Sequence, residues 1–174
     1  MGPYPRSTKH RFVVGELAAT DRFVAAAQKL GLEPDVKTFP SDTRTAQQAA
    51  DALGCELGQI VKSLIFRAGD ELVLVLTSGL NRVDERKAAP LFGVSKLGKA
   101  DAADARAATG FSIGGIPPCG HPIALRSLID HDLLEWETVW AAAGAPDAVF
   151  EITPTRLVEV TGALPSDVAR LPTS

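Results

Sequence analysis

The strongest constraint on the fold is a pair of β-rich runs, IVKSLIFR at residues 60–67 and LVLVLT at 72–77, joined by Ala68, Gly69, Asp70 and Glu71. Dense branched and aliphatic side chains on both sides of a short, glycine-containing polar connection predict a β-hairpin. A hairpin is antiparallel, and helices and strands do not alternate regularly elsewhere. Both facts point away from a doubly wound nucleotide-binding fold and toward an α+β fold with a mixed sheet. No Walker loop or dinucleotide fingerprint appears. Gly110, Gly114 and Gly115 have the wrong spacing and no helical continuation.

Local signals place the other elements around this hairpin. A first helix is expected from Thr20 as N-cap, with Asp21 in its first turn, Phe23, Val24, Ala27 and Leu30 on its apolar face, and Gly31 ending it. Residues 36–39 read as a short strand ended by Pro40. Thr45 and Gln48 fit a capping box for a helix over 46–53, closed by Gly54. Residues 81–84 lead into a helix that Gly93 closes, with Pro90 inside it. Leu97 and Gly98 read as a connector, and residues 101–109 as an alanine-rich helix closed by Gly110. Strands are expected over 123–129, 137–142 and 148–152. Thr153 caps a last helix, with Pro154 at its first position and Gly162 at its end.

At 174 residues, with 45% hydrophobic and 22% charged residues, the chain has the make-up of one soluble domain. The expected division is a loosely held leader over residues 1–14 and a single domain over 15–174. Apolar runs break within about ten residues, short of the ~20 a membrane span needs. Arg6, Lys9 and Arg11 precede no apolar h-region, so no secretory signal is expected. Cys55 and Cys119 make neither a disulfide framework nor a metal pattern, which fits a reducing cytoplasm. A net charge of −3 argues against a dedicated nonspecific nucleic-acid binder, and no DNA partner is expected. It leaves room for a protein that holds only an RNA end. Between residues 82 and 99, five cations (Arg82, Arg86, Lys87, Lys96 and Lys99) face two anions, Asp84 and Glu85. That excess suits a few phosphate contacts or a solvated helix face.

Residues 110–122 concentrate backbone-shaping residues: Gly110, Gly114, Gly115, Gly120, Pro117, Pro118 and Pro122. Glycine permits positive φ and close approach to a ligand, whereas proline fixes φ. Ile113 and Ile116 predict that the loop packs inward. With no carboxylate in it, its chemistry would come from backbone groups, as an oxyanion-type or water-positioning loop. The alternative is a tight turn between strands. Lys62 sits in an apolar strand, where a lysine either snorkels to the sheet edge or points into a pocket to bind an anion or polarise a carbonyl.

Cys119 and His121 raise a thiol-hydrolase reading, held as the weaker one because no third group orients the histidine. Cys55 reads as packing. His10 falls in the leader, and His131 falls in an Asp130-His131-Asp132 loop without zinc-ligand spacing. Ser78, Asn81 and Asp84 follow the second hairpin strand, as a pocket wall or a capped helix start. Thr43, Arg44 and Thr45 offer hydroxyl and guanidinium groups to the facing side, though capping accounts for at least one of them. Gly120 and His121 complete the list of candidate substrate contacts. Trp136 and Trp140 read as core or sheet-surface residues.

The pattern Gly114-Gly115-x-x-Pro118-x-Gly120, with Lys62 heading an apolar strand after a short alanine-rich helix, resembles the YbaK-like family. That family includes the editing domain inserted in bacterial prolyl-tRNA synthetases, and the resemblance spans about residues 39–162. It implies a curved, barrel-like mixed sheet wrapped by helices. It also implies a freestanding trans-editing deacylase that cleaves the ester of a small amino acid on tRNA for proline or a similar tRNA. Lys62, Gly114, Gly115 and Pro118 would be the catalytic group, without metal, cofactor or covalent intermediate and with help from the substrate's vicinal ribose hydroxyl. The implied partner is the aminoacylated 3′ end of tRNA, with an aminoacyl-tRNA synthetase as a further candidate and no membrane. Two other functions stay open: an RNA-end-binding module without catalysis, and a Cys119-dependent hydrolase of small esters.

Overall fold

The structure is a computed structural model that describes residues 18–40, 43 and 45–171. The leader expected over residues 1–14, and Arg44, lie outside the described residues. Among the described residues, five α-helices form where the capping chemistry places them, with one correction. Helix α1 spans Ala19–Lys29 with Ala18 at its N-cap and no side-chain cap bond, so Thr20 sits inside the first turn. Helix α2 spans Ala46–Leu53; Thr45 and Gln48 form the reciprocal capping box, and Gly54 closes it in the left-handed conformation. Helix α3 covers Glu85–Leu91 with Asp84 accepting from the Arg86 and Lys87 amides. Helix α4 covers Ala102–Thr109, capped by Asp101 and ended by Gly110. Helix α5 covers Pro154–Thr161, capped by Thr153 and ended by Gly162.

The strands are β1 (Val36–Thr38), β2 (Ile60–Ala68), β3 (Glu71–Ser78), β4 (Gly98–Lys99), β5 (Ser127–Asp130), β6 (Val139–Ala142), β7 (Ala148–Ile152) and β8 (Leu164–Ser166). Three differences from the sequence expectations have physical causes. Gly98 is not a connector but opens a two-residue strand on β2. The strand expected from residue 123 starts at Ser127, after Pro122 and a 65%-exposed Ile123. Strand β8 carries Pro165 and is tolerated because it pairs only with β5, at the sheet edge.

The mixed sheet runs in the order β1-β7-β6-β2-β3-β5-β8, with β4 pairing β2 off this path. The hairpin β2–β3 is antiparallel, from Val61 opposite Ser78 to Ala68 opposite Glu71. Strand β5 runs parallel to β3, and β6 parallel to β2. Among the described residues, the hydrogen-bonded path is open, ending at β1 and β8.

Strand β3 is buried on both faces, as its unbroken apolar run requires. Leu74 and Leu76 face a main core that includes Phe23 of α1, Leu157 of α5, Phe150, Phe111 and Ile116. Val73 and Val75 face a second core with Ala88, Ala89 and Phe92 around α3. Helix α2 packs Ala49 and Ala50 onto Ile60, Trp140 and Val149.

The 110–122 loop is therefore a structural member of the main core, anchored by Phe111, Ile116 and Cys119. Gly115 presses its backbone onto the turn between β6 and β7. A β-carbon there would stand 2.7 Å from the Ala145 α-carbon and 2.8 Å from its carbonyl carbon. Gly115→Ala should thus act as overpacking and lower stability by about 1–3 kcal/mol, measured as a shift in urea midpoint at constant slope.

Candidate active site

The sheet has a gap beside Lys62. On the edge of β2 away from β3, β6 pairs only with Ile60 and Val61, and β4 only with Phe66 and Arg67. Among the described residues, 62–65 have no strand partner on that edge. The glycine loop lies across the gap, with Ile113, Gly114 and Ile116 beside the strand. A cavity of about 260 Å³ opens there, walled by Lys62, Gly114, Thr45, Ala46, Trp140 and Pro146 among others. The helix start at Thr45, the lysine strand and the glycine loop, well separated in sequence, thus meet around one space.

Lys62 is half-buried, and its Nζ donates to the Asn81 carbonyl at 2.6 Å. That carbonyl is held by a buried network. Asp130, fully buried at the end of β5, accepts from the Ser78 amide at 3.2 Å, the Asn81 Nδ2 at 2.7 Å and the Asp132 amide at 3.0 Å. Asn81 Nδ2 also donates to Asp132 at 2.8 Å, and Ser78 Oγ donates to the Gly58 carbonyl at 2.8 Å. One acceptor leaves two of the three ammonium donors of Lys62 for a ligand. Burial, then the Arg82 charge, pull the Lys62 pKa below its ordinary value of 10.5, while Asp130 opposes them. The unfolded chain therefore binds this proton more tightly. The charge costs folding stability below the lowered pKa, and the cost disappears as pH rises through it toward 10.5.

The two paired glycines differ. Gly114 has φ +92°, and a β-carbon on it would meet nothing nearer than Pro146 at 3.8 Å. Gly114 lines the cavity through its backbone, whereas Gly115 is a packing contact with Ala145. Thr45 also lines the cavity, its hydroxyl accepting from the Gln48 amide as the α2 cap. Thr43 is buried. Ser78 and Asn81 stand behind Lys62, and Asp84 is spent on the α3 cap.

Pro118, Gly120 and His121 face a different cavity, of about 510 Å³, together with Arg22, Lys29 and Cys119. His121 Nε2 lies 2.7 Å from the Pro117 carbonyl. Burial pushes its pKa down, so the neutral ring donates to that oxygen. Cys119 is buried, and desolvation pushes its thiol up to about 11. A thiol that holds its proton so tightly is a poor nucleophile. Among the described residues, no three His, Cys, Asp or Glu side chains converge as a metal-ligand set, and no helix is long and apolar enough to cross a membrane.

Two features of the site escaped the sequence. Asp130 reads as part of a polar loop, and only its zero exposure marks it as the centre of a network. Ser63, next to Lys62, has a buried hydroxyl with no hydrogen-bond partner among the described residues.

A family model described as aminoacyl-tRNA editing domain matches residues 40–160. A solved structure described as a "putative trans-editing enzyme for prolyl tRNA synthetase" is 43% identical, with a TM-score of 0.85 over 89% of this chain and 99% of that one. The uncharacterized protein YwhH of Bacillus subtilis is 34% identical over 128 residues, 73% of this chain and 81% of YwhH. The "Putative Cys-tRNA(Pro)/Cys-tRNA(Cys) deacylase EbsC" of Enterococcus faecalis is 26% identical over 133 residues, 71% of this chain and 80% of EbsC. Proline–tRNA ligases also match, and the chain spans only 15% to 21% of their length. The chain belongs to the aminoacyl-tRNA editing domain family, and with it to the aminoacyl-tRNA deacylases, which are hydrolases.

Proposed function

We propose that this protein is a freestanding trans-editing enzyme that hydrolyses the ester between a small amino acid and the 3′-terminal ribose of tRNA for proline or a similar tRNA. The observation that carries the reading is the meeting of Lys62 and Gly114 at one small cavity on a strand edge left unpaired among the described residues. At about 260 Å³, the cavity is below the range typical of sites for drug-sized ligands. It suits an ester and a short side chain, with Ala46, Ala49 and Ala142 as walls. The names of the relatives, which point to prolyl-tRNA synthetase and to Cys-tRNA(Pro), favour the same substrate class.

In this reading the glycine loop supplies backbone amides to the ester carbonyl and places the water. Water attacks the carbonyl carbon, and the negative charge that develops on the carbonyl oxygen is met by backbone N–H groups and the Lys62 ammonium. The substrate's vicinal hydroxyl passes a proton from the water to the leaving ribose oxygen as the ester C–O bond breaks. The products are a free amino acid and a free 3′ end. No protein carboxylate or thiol is assigned a step. An aminoacyl ester is already activated, so positioning and charge stabilisation supply the acceleration. Pro118, Gly120 and His121 hold the loop's shape from behind, while Thr43, Thr45, Ser78, Asn81 and Asp84 shape the wall and its supports. Arg44, outside the described residues, belongs to the same polar entry to α2.

Purified protein incubated with tRNA mischarged with alanine, serine, cysteine or aminobutyrate should release at least one of these amino acids, and should do so in chelator. Loss of activity in chelator with recovery on added zinc would overturn the metal-independent mechanism. Release of none of the four, with the RNA end still bound, would favour a binding module.

Lys62→Ala should lower single-turnover deacylation by about 100-fold or more and leave the fold intact. Cys119→Ala should retain most of the activity. Because the Lys62 pKa lies below 10.5, the ratio of wild-type to Lys62→Ala rate should begin to fall at a pH below that value, as the ammonium loses its proton. Lys62→Arg should keep the ratio level through the same range. A ratio that climbs with pH would mean that the neutral amine is the working form.

Gly114→Ala should cost about 1–2 kcal/mol through its left-handed backbone, without a clash, and lower the rate by roughly 10²–10³ if the loop amides serve the oxyanion. Melting temperature and turnover measured on the same preparation separate the two. An early-melting variant with normal turnover while folded would reduce Gly114 to a turn residue.

A further inference from the structure

The cavity of about 510 Å³ has the volume of an ordinary small-molecule site and shares no lining residue with the Lys62 cavity. Pro118, Cys119 and Gly120 form one wall, and one stripe of α1 forms another. Arg22, Ala26 and Lys29 fall at i, i+4 and i+7 of that helix, so they share a face. The two cations stand two turns apart, about 10 Å along the axis, and Ala26 leaves the space between them open. Leu30, Ile123, Leu125 and Val160 make the remaining lining largely apolar. Leu30 is 42% exposed and Ile123 65%, so this apolar surface is accessible.

The polar groups of the lining divide sharply. Three hydroxyls are spent inside the fold: Thr109 donates to the Ala105 carbonyl at 2.7 Å, Ser127 to Leu125 at 2.9 Å and Thr161 to Leu157 at 2.7 Å. His121 is occupied by the Pro117 carbonyl. The cations are not spent. Lys29 is exposed and in no ion pair among the described residues. Arg22 gives Nη1 to the Gly110 carbonyl at 3.0 Å and lies 5.0 Å from the centre of the Phe111 ring. That holds the guanidinium in place with most of its five N–H donors left over. Among the described residues, no Asp or Glu lines the cavity.

We propose that this cavity is a second binding site, for a small organic anion with an aliphatic body, of the fatty carboxylate class. The carboxylate meets the fixed Arg22 fork, with Lys29 adding attraction across Ala26. The aliphatic body lies on Ala26, Leu125 and Ile123 and displaces water from them. A nucleotide is a poorer match, because Phe111 is only 3% exposed and offers no free ring face to a base. The site is independent of the ester chemistry at Lys62.

The test titrates octanoate, octanol, acetate and inorganic phosphate separately into the purified full chain, followed by melting temperature and methyl NMR. Octanoate should raise the melting temperature saturably. It should shift the Ile123 methyl signals and leave those of Ile113, at the Lys62 cavity, in place. Octanol lacks the charge and should bind about fivefold more weakly or worse. Acetate lacks the body and should bind about tenfold more weakly or worse. Lys29→Glu and Ile123→Glu change exposed side chains, so each should melt as the wild type does without ligand. Each should weaken octanoate by about fivefold or more. Four results would each overturn the site: no saturable response to octanoate, shifts at Ile113 in place of Ile123, octanol binding as well as octanoate, or both variants binding octanoate like the wild type. Inorganic phosphate as effective as octanoate would also overturn it, leaving two surface cations that meet any phosphate, an RNA backbone included.

Discussion

Everything at the Lys62 cavity hangs on one buried carboxyl group. Asp130 gathers the Ser78 amide, the Asn81 side chain and the Asp132 amide with two oxygens, in a place with no exposure to solvent. The connection after β3 is thereby pinned to the end of β5, and its Asn81 carbonyl is aimed at Lys62. A lysine on a flexible four-carbon stem would otherwise sample many rotamers. The network converts it into a charge at a fixed place. It also offsets part of the desolvation that pulls the Lys62 pKa down.

The glycine loop is positioned by a different logic. Phe111, Ile116 and Cys119 are buried in the main core, while Ile113, expected to pack inward, is 58% exposed, so the loop cannot swing away without pulling those three from the core. Gly115 brings it against Ala145, and Gly114 then presents backbone to the cavity from a conformation that other residues adopt only with strain. Two adjacent glycines thus answer to separate demands. One is set by close approach of two backbones, the other by the sign of φ.

Much of this was legible locally. The Thr45–Gln48 box, the Asp84, Asp101 and Thr153 caps and the closing glycines are decided by residues within one turn of each other, and each helix from α2 onward formed where they sit. Thr20 misled because a good capping residue was passed over for a start at Ala19. Strand β8 was hidden by Pro165, whose compatibility depends on being at an edge, which the chain order does not reveal. The lysine and the Gly114–Gly115 pair were visible as a family pattern. The different duties of the two glycines were not, because Ala145 comes from a remote turn. The role of Asp130 and the gap beside β2 were equally hidden, since both depend on which strands become neighbours.

The interrupted pairing of β2 has a consequence for the protein's solution behaviour. A strand with unused amides and carbonyls is a template on which any other extended chain can add itself, and runs of valine, leucine and isoleucine make such templates adhesive. Here the opening spans only residues 62–65, closed at its two ends by β6 and β4. Ile113 and Ile116 stand over it, and a lysine sits at its head. The segment is too short to seat a full foreign strand and carries a charge that discourages one. The same cover that shapes the cavity thereby guards the sheet against edge-to-edge self-association.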